Sequence, residues 1–204
     1  MDDSWALARD IIVSISAFVV AFAAIAGLFT WRRQMTGKGK FDVARNIMFL
    51  GYKVNEEFKR ARSPLTYPGE SAERSRQRDE SSTEAQVLDE WYARNRRLQP
   101  LREDLPKFQE ASWEAEVLLG GDAGRAVAVA FEAFRSNFAE VASSVDSYFG
   151  VVHEEARSGS RTNVDREWLH GLKSTIYSQP DDDFSRQIDA ITNELAPALK
   201  KYVK

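Results

Sequence analysis

Residues 127–152 read VAVAFEAFRSNFAEVASSVDSYFGVV, and their spacing decides the fold. Val127, Phe131, Phe134, Phe138, Val141, Val145, Tyr148 and Val152 follow steps of 4, 3, 4, 3, 4, 3 and 4. That period puts them along one face of a single long helix. The three phenylalanines in the seam predict the core of a helical bundle in preference to a slim two-stranded coil. Alternation of apolar and polar residues, the mark of a half-buried strand, holds nowhere over strand length. The chain therefore reads as all-α.

Outward from this helix, punctuation residues divide the chain. Gly120-Gly121 ends the preceding segment, with Asp122 placed to cap the central helix, and Ser158-Gly159-Ser160 closes it. Toward the C-terminus a short helix is expected over Val164 to Tyr177, burying Trp168, Leu169, Leu172 and Ile176. Gln179-Pro180 breaks it. Asp181, Asp182 and Asp183 then meet the positive end of a last helix, whose stripe is Phe184, Ile188, Ile191, Leu195, Leu199 and Tyr202. Lys200, Lys201 and Lys204 fall in its last turn. Toward the N-terminus, Ser81 to Glu84 fits a capping box. The helix it opens carries Val87, Leu88, Trp91, Leu98, Leu101, Leu105 and Phe108, then Trp113 and Val117. Pro100 and Pro106 predict a kink or break between Gln99 and Lys107. Glu70 to Ser82, charged and nearly free of large apolar side chains, reads as an exposed loop or a frayed helix start. Before the Pro68-Gly69 turn and the Ser63-Pro64 stop, a helix from Phe41 to Arg62 carries Ala44, Ile47, Met48, Gly51, Val54 and Phe58. Its core and that of its neighbours is expected to hold Phe131, Phe134, Phe138, Trp91, Leu105, Ile188 and Leu195.

Nearest the start, Ile11 to Trp31 reads IIVSISAFVVAFAAIAGLFTW, 21 residues without a charge. At 1.5 Å per residue such a helix is about 31 Å long, matching a hydrocarbon layer of about 30 Å. A core helix would show a polar face, whereas the polar side chains here are Ser14, Ser16 and Thr30, which bond back to their own helix. Trp5 and Trp31 flank the run where headgroups would lie. Asp2, Asp3 and Asp10 precede it against Arg9; Arg32, Arg33, Lys38 and Lys40 follow it. Positive charge stays inside, so the N-terminus is expected outside and the C-terminus in the cytoplasm. Ala21-Phe22-Ala23 and Ala24-Ile25-Ala26 resemble signal cleavage sites. The acidic leader, and an apolar run that continues to a double arginine, argue instead for a retained span. Ala17 and Ala21, and Ala23 and Gly27, have the spacing that lets two spans approach closely, although alanine is common in such helices.

The organisation expected is thus a short extracytoplasmic N-terminus over 1–10, a transmembrane helix over 11–31 and a basic juxtamembrane linker over 32–40, loosened at Gly37 and Gly39. A cytoplasmic antiparallel helical bundle over 41–204 completes it. The membrane-interface anchors are Trp5, Trp31, Arg32, Arg33, Lys38 and Lys40. For Lys59 to Arg62 a solvated face is expected.

The chain holds no cysteine, which excludes disulfides, zinc-thiolate sites and thiol nucleophiles, and its net charge of −3 gives no general pull toward nucleic acid. His153-Glu154-Glu155 lacks the second histidine of a zincin, position 157 being Arg. Asp181 to Asp183 lack the glycine and distal glutamate of a calcium loop. Trp91-Tyr92 with Arg94, Arg96 and Arg97 mixes rings and cations as single-strand binders do, but a solvated helix face is the simpler reading. Gly120 to Gly124 lacks the strand and the Lys-Ser/Thr of a phosphate loop. No catalytic residue, metal site, cofactor or small-molecule substrate is expected.

From W-R-R-Q-M at 31–35, through F-D-V-A-R-N-I at 41–47 and Y-K-V-N-E-E-F at 52–58, to R-x-R-S-P at 60–64, the chain resembles small bacterial single-pass, membrane-anchored helical proteins without assigned activity. The resemblance implies an inner-membrane setting and carries over no functional residue. With no motif for chemistry, the expected role is a membrane-tethered interaction or scaffold module, partnered by the bilayer and by another protein or a second copy. The alternative is an oligomeric effector assembled through its span.

Overall fold

The computed structural model describes the backbone of residues 2–67, 69–179 and 182–203, with the side chains of 2–14 and 17 outside that description. The expectations for Trp5, Ser14, Ala17, Pro68, Pro180, Asp181 and Lys204 rest on positions or side chains outside it. The described residues form five helices and no strand: α1 (Asp2–Arg62), α2 (Ser82–Leu118), α3 (Gly121–Ser158), α4 (Arg166–Ile176) and α5 (Asp183–Leu199). The chain divides into two compact units, Met1–Asp42 and Val43–Lys204.

In the first unit the expected loosening at Gly37 and Gly39 is absent, because α1 is helical throughout 32–40. Each glycine costs about 1 kcal/mol in a helix interior. The costly step, nucleation, is already met by the helix on either side, so propagation carries across both positions. Thr30 and Thr36 hydroxyls donate to the Ala26 and Arg32 carbonyls at 2.9 Å, the back-bonding expected of short polar side chains in such a helix. Among the described residues, no helix is long and apolar enough to cross a membrane. The expected span over 11–31 enters the described side chains only in part.

The second unit is a bundle built on α2 and α3, with the distal part of α1, α4 and α5 packed around them. The capping box forms as the sequence predicts: Glu84 N–H donates to Ser81 Oγ at 3.2 Å, and Ser81 N–H to Glu84 Oε2 at 2.9 Å. The break expected at the prolines does not form; α2 runs through both. Leu98, Leu101, Leu105, Phe108, Ala111 and Ala115 are all buried. Their packing outweighs two lost backbone bonds. Pro100 and Pro106 themselves lie off that stripe, half-buried and exposed, where water can reach the freed carbonyls. Trp113 and Val117, expected on the stripe, are exposed. Small residues, Ala111, Ser112 and Ala115, carry the buried face there. The α2–α3 turn uses Gly120 and Gly121 at φ 58° and 50°, which glycine adopts without strain. Gly120, not Asp122, is the N-cap. Close approach of the two helices explains Gly124, where a Cβ would lie 3.0 Å from Glu116 Cα.

The α3 seam is the centre of the core. Phe134 is fully buried, edge-on to Phe108 with centroids 5.6 Å apart and stacked with Phe58 at 6.1 Å. Phe131, Leu105, Ile188 and Leu195 are buried as expected, whereas Trp91 and Phe138 are half-buried at its rim. Of the four residues expected to bury in the short helix, Ile176 alone does; Trp168 is exposed, and Leu169 and Leu172 are half-buried. With 11 residues, α4 covers the bundle by one edge only. Lys200 is the C-cap of α5 and Lys201 lies beyond it.

Candidate functional site

Of the anchor residues named from sequence, Trp31, Arg32, Arg33 and Lys38 are exposed and Lys40 is half-buried. They follow one another along the first unit without converging on a pocket. The described apolar side chains ahead of them are uncovered: Phe18, Phe22 and Phe29 are 79%, 76% and 68% exposed.

The second unit holds what the sequence reading missed, a set of charged side chains turned inward. Arg62, expected on a solvated face, is 2% exposed. Its Nε donates to the Thr175 carbonyl at 2.8 Å and Nη2 to the Ser174 carbonyl at 3.0 Å. Nη1 donates to Ser185 Oγ at 2.9 Å, and the guanidinium grips both oxygens of Asp182 at 3.1 and 3.3 Å. Phe184 lies under it, 4.3 Å from centroid to Cζ. Asp182 is also the N-cap of α5, accepting from the Ser185 and Gln179 N–H groups. Burial alone would raise its carboxyl; these donors and Arg62 outweigh burial and bring it down to about 2. One arginine thus fastens the end of α1 to the end of α4 and the start of α5.

Arg94 and Arg97, read as part of a solvated face, are instead buried and mostly buried. Arg94 donates to the Ser63 carbonyl at 2.6 Å and lies over the Tyr177 ring. Its burial lowers its affinity for a proton; Nε and Nη2 make no hydrogen bond, and Nη2 lies 3.8 Å from Glu90 Oε1. Tyr177 donates to Glu90 at 2.6 Å. Arg97 takes the Ser63 carbonyl at 2.8 Å, the Leu65 carbonyl and Glu70. The charged loop beyond is likewise tied down: Arg74 pairs with Glu80 at 2.8 Å and Asp89 at 2.6 Å.

On the other flank of α1, Glu57 and Asp104 of α2 are 6% and 2% exposed. Lys53 pairs with Asp104 and approaches Glu57 at 3.7 Å; Lys107 reaches Asp104 at 2.6 Å. Burial, and then Asp104, push Glu57 up to about 7. Burial would raise Asp104 as well, but Lys107, Lys53 and Glu57 as donors bring it down to about 2. Among the described residues no cluster of His, Asp and Glu is placed to hold a metal ion. Asp104 is balanced by Lys53 and Lys107 and ties α1 to α2.

A signal for these residues did exist. Glu57 and Arg62 lie three and eight residues after Val54, and Asp104 lies three after Leu101, on the apolar steps of their own helices. Charge at such a step marks a buried ion that needs a partner.

No protein-family model, curated protein or solved structure matches the chain.

Proposed function

We propose that the protein is a membrane-tethered helical interaction module, with 11–31 held in a bilayer, the N-terminus outside, and the bundle presented at the cytoplasmic face of the inner membrane. One observation carries this reading: the uncovered apolar surface of the first unit. Phe18, Val19, Val20, Phe22, Ile25, Leu28, Phe29 and Trp31 are each more than half exposed. Full burial is worth about 1.5–3 kcal/mol for each such side chain. A helix apolar on all sides calls for lipid or a larger core. Arg32 and Arg33 at its end supply the charge that anchors a span and sets its direction. The bundle contributes contact surface rather than chemistry: Arg62 and Asp104 are taken up in ion pairs, while Trp113 and Val117 on α2 and Phe49 and Tyr52 on α1 face outward.

Carbonate extraction of membranes from cells making the full chain tests the tether. The protein is expected in the pellet, and Phe22→Arg with Ile25→Arg is expected to move it to the supernatant. Wild-type protein released by carbonate refutes the reading.

A further inference from the structure

Glu57 and Asp104 face each other across the α1–α2 contact. Both lie inside the second unit, so their chemistry is independent of the membrane tether. Glu57 Oε2 is buried and, as a carboxylate oxygen, has no donor. Lys53 lies 3.7 Å from Glu57 Oε1, too far for a good hydrogen bond, and is committed to Asp104, as is Lys107 at 2.6 Å. Two ionised carboxylates here would leave a stranded acceptor beside a second anion, at a cost buried groups seldom bear. One proton removes both difficulties, because a neutral Glu57 carboxyl donates to Asp104 while Asp104 keeps its two lysines.

We propose that Glu57 and Asp104 share a single proton, and that its loss is a switch that loosens α1 from α2. The charged groups facing Glu57 are Lys53 and Arg60 on its own helix and Asp104 on α2, with Lys107 on the far side of Asp104. Lys53 and Lys107 are about half exposed, so water screens the charge they would bring against a second carboxylate. The sign comes from linkage. Burial and Asp104 raise Glu57 from 4.5 in the unfolded chain to about 7. The stabilisation is therefore whole below pH 4.5 and lost as pH rises through about 7. The pair titrates as a unit, the one shared proton sitting on Glu57 and hydrogen-bonded to Asp104 until it is lost.

Hydrogen exchange of the full chain in lipid nanodiscs, at pH 6 and pH 8.5 and corrected for intrinsic base catalysis, tests this. Peptides covering residues 50–61 and 101–108 are expected to lose roughly tenfold in protection at the higher pH. Glu57→Gln, isosteric with the neutral acid and still able to donate to Asp104, is expected to fold and to keep the low-pH protection at both values. Equal wild-type protection at the two pH values overturns the proposal. So does a Glu57→Gln protein that fails to fold or that loosens at pH 8.5 as much as the wild type.

Discussion

Replacing Arg62 by Met keeps the length of the stem over Phe184 and removes the guanidinium. Removing one partner of a buried, hydrogen-bonded ion pair costs about 3–5 kcal/mol, most of it for the groups left behind. Here the bereaved groups are the Ser174 and Thr175 carbonyls, Ser185 Oγ and Asp182. Ser174 is exposed and Thr175 half-buried, so water can replace the donor at both. Asp182 is 18% exposed and keeps two backbone donors. These escapes put the cost at the low end, ~3 kcal/mol. For a chain of this size 1 kcal/mol moves the melting temperature by about 2–4 °C, so Arg62→Met is expected to melt about 6–12 °C lower. Far-UV circular dichroism of the full chain in nanodiscs reads the transition. Arg62→Lys keeps the charge without the planar fork that reaches carbonyls and carboxylate together, and is expected to recover less than half of the loss. A drop under 2 °C for Met, or full recovery by Lys, refutes the assignment of Arg62 as the tie between α1, α4 and α5.

Phe134→Ala empties the centre of the aromatic cluster and is expected to cost about 3–5 kcal/mol in urea unfolding; a loss below 1 kcal/mol would mean that the seam is not the core. Gly124→Ala sets a Cβ 3.0 Å from Glu116 Cα and must push the hairpin apart, for about 1–3 kcal/mol of destabilisation. Gly150→Ala, with nothing within 4 Å, is expected to gain up to about 1 kcal/mol by the same measurement.

Local signals were legible wherever the local rule met no opposition. The Ser81–Glu84 box caps α2, Gly159 ends α3 in the left-handed region at φ 65°, and the α3 seam supplies Val127, Phe131, Phe134, Val141 and Val145 to the core. The reading failed where a long-range contact overrode a local cost. Pro100 and Pro106 are helix breakers by propensity, but the apolar face between and around them is held by α3 and its neighbours. Trp113 and Val117 drew the stripe toward themselves because large apolar residues count most in a pattern, whereas Ala111, Ser112 and Ala115 do the packing. The candidate ties were the least legible. Arg62 and Arg94 read by type as surface charges, and Glu57 and Asp104 drew no reading at all, although the register of all four places them inside. Their partners lie far along the chain, Arg62 and Asp182 being 120 residues apart, so no local window contains both halves of the pair.

The same separation bears on how the chain comes off the ribosome. The Arg62 carbonyl accepts from Ser178 N–H at 2.8 Å, and its side chain waits for Ser174, Thr175, Asp182 and Ser185. The α2–α3 hairpin, built from contacts close in sequence, can zip up early. The far end of α1 cannot acquire its final surroundings until synthesis has passed residue 185. Through most of translation Arg62 is a hydrated cation, and its burial belongs among the closing events of assembly.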